Sequence, residues 1–118
     1  KFRAGLIDIY GGKCAITGCD AVEALEAAHI SPYRGEETNH TQNGLLLRAD
    51  LHSLFDLGLI SIDPSTMKVV LAVQLKDSSY AALAGTRISA PTDPSLTVSV
   101  EALKQHMTWT GIEQVHEA

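Results

Sequence analysis

The chain has 118 residues, 45% of them hydrophobic and 19% charged, which suits one core in a single globular domain and excludes the disordered class. No apolar run approaches the roughly 20 residues that cross a bilayer, and the opening KFRAGLIDIYGG carries charges inside its apolar stretch and no cleavage site, unlike a signal peptide. Nine Lys and Arg against fourteen Asp and Glu leave a net charge of −5, which on its face speaks against a nucleic-acid binder with a basic footprint.

In chain order, residues 2–10 place Phe2, Leu6, Ile9 and Tyr10 on one helical face, and Gly11-Gly12 stops that helix. Residues 13–17 predict a short strand. Residues 21–28 read either way: Ala and Glu favour helix, but the run is short and Pro32 forbids continuation. Residues 31–42, SPYRGEETNHTQ, read as a loop, with a turn signal at Asn43-Gly44. Leu45–Leu47 is a short apolar run. Residues 49–57 show helical spacing at Leu51, Leu54 and Phe55 before a stop at Gly58. A hairpin is predicted from 59–63 and 67–75 around Pro64-Ser65-Thr66. A short helix is expected over 77–84, a Pro-punctuated connection over 86–98, and a last helix over 100–109 capped by Ser99 or Thr97. Tyr80 and Trp109 read as core anchors of these C-terminal helices. His40 reads as a solvated loop residue, His106 as a packed or surface residue, and His116 as near a frayed end.

Cys14 and Cys19 cannot build a disulfide scaffold. They could supply half a zinc site, but no second Cys pair exists, so free thiols are the expectation. The chemistry-bearing residues are His29, Asn43, His52 and Asp56. His52 and Asp56 are four apart in a predicted helix and therefore share a face, where an imidazole and a carboxylate can hold one metal ion. Taken singly, each has a plainer reading: a satisfied structural His, a turn Asn, a helix-surface His, and a helix-terminal Asp pairing with Arg48 or capping the Gly58 turn.

Together, CAITGC, LEAAHISPY and QNGLLLRADLHSLFDLGLISID resemble the HNH endonucleases, densely over residues 14–63 and loosely over 64–110. The resemblance implies an α+β fold: a ββα-metal nuclease core with an N-terminal helix, an added β-hairpin and C-terminal helices. It implies one domain over 1–118, with the motif in 14–63 and an extension in 64–118. Opening on Lys1, the chain reads as an excised part of a larger protein. By resemblance, His29 is the general base that activates water, Asn43 holds the loop and the base-bearing strand, and His52 binds the metal. Asp56 matches the second helix position, where many relatives carry another His. An imidazole, with an ordinary pKa near 6.5, can take the water proton near neutral pH. Arg34 and Arg48 are candidates for bidentate phosphate contacts.

Two positions depart from the family pattern. Many members carry a metal ligand just before the base, where Ala28 stands here, which leaves Glu26, Asp50, water or the substrate phosphate to complete the shell. The second Cys pair of many relatives is replaced by Arg48 and Leu51. One divalent ion is expected; a sparse protein ligand set suits Mg²⁺, and a His ligand also admits Mn²⁺, Ni²⁺ or Zn²⁺. The expected function is a metal-dependent DNA endonuclease domain, the cleavage module of a cytoplasmic restriction or anti-phage protein. Its expected partners are DNA, a flanking recognition or sensor domain and, as an open alternative, a second copy in a homodimer; no membrane is involved. The alternative is a catalytically inactive HNH-fold binding or scaffold module. A zinc deaminase would need His-x-Glu and Pro-Cys-x2-Cys, and neither is present.

Overall fold

The computed structural model describes residues 1–113; His116 lies outside them. The order is α1 (Phe2–Ile9), β1 (Leu25–His29), β2 (Gly44–Arg48), α2 (Ala49–Asp56), β3 (Ile60–Asp63), β4 (Lys68–Leu71) and α3 (Val100–Thr110), joined by loops and single 3₁₀ turns. This is an α+β arrangement with two small antiparallel sheets, β1–β2 and β3–β4.

The centre of the fold is β2. Leu45, Leu46 and Leu47 are all fully buried, so both faces of this strand are covered; α1 and α2 both pack against it. The antiparallel register puts Leu25 opposite Arg48 and His29 opposite Gly44. Pairing strands 14 or more residues apart in sequence needs the intervening loop, residues 30–43, to fold back on itself. Helix α2 leaves β2 without a break and buries Leu51 and Phe55. Its opposite face, with His52 and Asp56, stays accessible.

Gly44 explains how α1 sits. A Cβ at this position would lie 2.6 Å from Phe2 Cζ and 2.8 Å from Leu6 Cδ1. Only glycine lets the helix press this closely on the strand, and that brings Phe2 beneath His29.

The hairpin β3–β4 is shorter than its sequence suggests. The strand predicted for 67–75 ends at Leu71, because its partner starts at Ile60 and the register runs out there. The Ala72 N–H still reaches Leu59 O at 2.8 Å, and Val73–Leu75 then form a 3₁₀ turn. Helix α3 packs on β3; the Ser99 side chain accepts from the Ala102 N–H, and Gly111, at φ 68°, ends the helix.

Two expected elements differ. Residues 13–17 form a tight turn instead of a strand. Gly18 N–H donates to Cys14 O, Cys14 N–H donates to Cys19 O, and the buried Cys14 Sγ accepts from the N–H groups of Thr17 and Arg48, both at 3.4 Å. The thiol thus serves as a local acceptor that curls the chain. Both cysteines are free. The helix expected over 77–84 reduces to one 3₁₀ turn, Ala81–Leu83; Ser78 Oγ bonds Leu75 O and the Tyr80 N–H, which competes with helical pairing.

Candidate active site

His29 ends β1 beside the loop, half-buried. Its ring lies on Phe2, centroids 4.3 Å apart and planes 18° from parallel, and Tyr33 meets it edge-on at 5.7 Å. His29 Nε2 is 2.7 Å from Asn39 Oδ1. An amide oxygen only accepts, so with the amide placed this way Nε2 carries the proton and Nδ1 keeps its lone pair.

Asn43 holds the geometry of that loop. It is 4% exposed and fully bonded. Its Oδ1 accepts from the Ser31 N–H at 2.9 Å, and its Nδ2 donates to Ser31 O at 3.2 Å and Thr38 O at 3.1 Å. Its backbone carbonyl takes the Ile30 N–H. One buried amide therefore clamps both ends of the loop to the end of β1.

On α2, His52 stands between two carboxylates. Nδ1 is 2.7 Å from Glu26 Oε1, and Nε2 is 3.1 Å from Asp56 Oδ2. When the neutral ring donates from Nδ1 to Glu26, Nε2 and Asp56 Oδ2 become two lone-pair atoms facing one another. Their separation matches the roughly 3 Å edge between adjacent ligands of an octahedral ion bound at about 2.1 Å. The arrangement with Glu26 behind the imidazole is the carboxylate–histidine pairing that orients metal-binding histidines. The donor pair thus fits a hydrated divalent ion, and among the described residues no group of three His, Cys, Asp or Glu side chains converges on one.

Two residues considered for the site lie elsewhere. Asp50 is held by Arg48 Nε at 2.7 Å, Arg48 Nη2 at 3.0 Å and the Tyr80 hydroxyl at 2.8 Å. Arg48 above all holds its carboxyl well below the usual range, at about 2. Asp50 is therefore committed away from the metal pair. Arg48 is paired with it and does not line the cleft described next. Tyr80 serves this same cluster.

His29, His52 and Asp56 line one cleft of about 680 Å³, together with exposed Arg34 from the loop and Trp109 from α3. Trp109 is 63% exposed and so is not the core anchor expected; α3 faces inward through Ala102, Leu103 and His106 instead. Exposed His40 lies in the loop and does not line the cleft.

Sequence reasoning missed two residues here. Asn39 orients His29 from within a uniformly polar loop that offers no signal. His106 forms part of the cleft's deep wall. Its ring stacks on Phe55 at 3.6 Å and 4°, Nε2–H donates to Phe55 O at 3.0 Å, and Nδ1 accepts from Ser61 Oγ–H at 2.7 Å. Burial pushes its pKa down. It anchors the last turn of α2, which presents Asp56.

A model of the HNH endonuclease family matches residues 14–63. Over those residues the chain is similar to the HNH endonucleases. The β1–loop–β2–α2 unit, with His29, Asn43, His52 and Asp56, lies within this stretch. Among solved structures, the chain is similar to a modification-dependent TagI restriction endonuclease, with a TM-score of 0.66 and 18% identity over 89% of this chain. That similarity shows a shared fold. The chain spans about a third of that protein, 35% of its length. No curated protein matches the chain. Among the described residues no helix is long and apolar enough to cross a membrane.

Proposed function

We propose that this HNH domain is a metal-dependent DNA endonuclease that hydrolyses phosphodiester bonds as the cleavage module of a larger restriction or anti-phage protein. The observation that carries this reading is the meeting of a proton-accepting imidazole (His29) and a cation-seeking His–carboxylate pair (His52, Asp56) in one open cleft. His29 Nδ1 takes the proton of the attacking water, while Phe2 and Asn39 fix the ring. Asn43 positions the loop without touching substrate. His52 and Asp56 would hold a divalent ion, Mg²⁺ or another cation that accepts a His ligand, and Glu26 orients His52. Such an ion, when bound, stabilises charge on the scissile phosphate and the leaving oxygen. Arg34, exposed in the same cleft, would make a phosphate contact.

The net charge of −5 fits this reading once the ion is included, since two positive charges then sit where phosphate must come. It also implies weak, unselective DNA binding by this domain alone. Target choice would then come from a flanking recognition or sensor domain, in a cytoplasmic host protein.

Incubation with supercoiled plasmid and Mg²⁺ or Mn²⁺ tests the proposal. The expected result is nicking or linearisation that EDTA abolishes and that His29→Ala slows by about 10²–10⁴. Cutting by His29→Ala at the wild-type rate would overturn the assignment of the base. No cutting with any divalent ion would favour the inactive-module alternative.

A further inference from the structure

Aromatic surface flanks the hydrolytic groups. Tyr33, in the loop after β1, is 59% exposed, and Trp109, near the end of α3, is 63% exposed. Both line the cleft that holds His29, His52 and Asp56. Each ring is braced on one side by a group of the site and open on the other. Tyr33 meets the His29 ring at 71°. Trp109 is 5.5 Å from the His106 ring and lies so close over Gly58 that a Cβ there would come 3.2 Å from the indole. Braced, solvent-facing aromatic rings in a cleft mark a contact surface rather than core packing.

Charge and chemistry identify the contact. Arg34 is the one Lys or Arg among the described residues lining the cleft. Phosphate neutralisation, the usual source of nucleic-acid affinity, is therefore scarce here, whereas stacking on a base needs no charge. In an intact duplex both faces of every base are covered by its neighbours and its edge by its partner. An unpaired base has free faces for Tyr33 or Trp109. Its edge can reach Gln105, whose side-chain amide makes, among the described residues, a single long contact, 3.5 Å from Ser31 Oγ.

We propose that Tyr33 and Trp109 form a nucleobase subsite for an unpaired base adjoining the scissile phosphate, so that the domain prefers unpaired or distorted strands to intact duplex. The subsite rests on the nuclease reading above and specifies its substrate.

Trp109 is the sole tryptophan of the chain, so its emission reports on the site directly. The 118-residue chain is titrated in EDTA with a single-stranded oligonucleotide, with the duplex of the same sequence, and with the same strand carrying abasic sites. The single strand is expected to change the emission saturably, with the duplex and the abasic strand at least about tenfold weaker. Tyr33→Ala should weaken single-strand binding about tenfold, and Tyr33→Phe should restore it. In cleavage with Mn²⁺, Trp109→Phe should keep the preference for unpaired strands and Trp109→Ala should lose it. Equal binding of duplex or abasic strand, or an unchanged cleavage preference in both Ala variants, would overturn the subsite. The metal-free titration decides the subsite independently of hydrolysis, whose own failure would show as His29→Ala cutting like wild type.

Discussion

His29 and His106 stand on two walls of one cleft and are built alike, yet we propose opposite tasks for them. Each ring stacks on a phenylalanine, Phe2 at 4.3 Å and Phe55 at 3.6 Å. Each Nε2 meets an oxygen, Asn39 Oδ1 at 2.7 Å and Phe55 O at 3.0 Å. The difference is at Nδ1. In His106 it receives the Ser61 hydroxyl in a buried setting; in His29 it has no hydrogen-bond partner among the described residues. Stacking and one hydrogen bond orient an imidazole. Whether the second nitrogen is satisfied decides between a structural strut and a proton acceptor.

The largest expected contrast comes from truncating each ring. His29→Ala should slow cleavage about 10²–10⁴ with little change in the urea midpoint. His106→Ala should do the reverse in kind, destabilising the fold by about 2–4 kcal/mol, since it removes a packed ring and strands the Ser61 hydroxyl and the Phe55 carbonyl. Equal loss of stability in the two variants would break the comparison. Next in size, Glu26→Ala should weaken Mn²⁺ binding about 10–100-fold by calorimetry, because His52 loses the group that orients it; unchanged affinity would remove Glu26 from the site. Gly44→Ala should cost about 1–3 kcal/mol, as its Cβ displaces Phe2 from beneath His29, and should lower the cleavage rate as well as the urea midpoint.

The smallest effects are in pH. Burial lowers the His106 pKa, so the folded state keeps it neutral while the unfolded chain takes up a proton near pH 6.5. Its contribution is complete above about pH 6.5 and is lost as pH falls below it. The urea midpoint of wild type should therefore drop between about pH 6.5 and 5 more than that of His106→Gln. Asp50, held down at about 2 chiefly by Arg48, contributes above about pH 4, and that share disappears as pH falls toward 2. Asp50→Asn should flatten the curve in that acid range.

The legible part of this molecule was its local part. The spacing of Leu51, Leu54 and Phe55 marked α2, the resemblance of NGLLL to the HNH pattern implied the strand before it, and the four-residue step from His52 to Asp56 put both on one accessible face. The rest depends on partners distant in the chain. His106 meets Ser61 across the packing of α3 on β3, and no spacing announces that pair. Asn39 is one polar residue among many in a loop whose closure is set by Asn43. Trp109 looks like a core residue by type, but α3 turns Leu103 and His106 inward and leaves the indole over Gly58. The segment at Cys14 reads as a strand by composition, and the thiol's own hydrogen bonds bend it into a turn.

The proposed hydrolysis turns on His29 as a general base held in place by Phe2 and Asn39. Chemical rescue tests it most directly. His29→Ala leaves a ring-sized gap between Phe2 and Tyr33, so added imidazole should restore plasmid cleavage in a saturable manner, while leaving His52→Ala unrescued. A folded, metal-binding His29→Ala protein whose cleavage does not respond to imidazole would contradict the account.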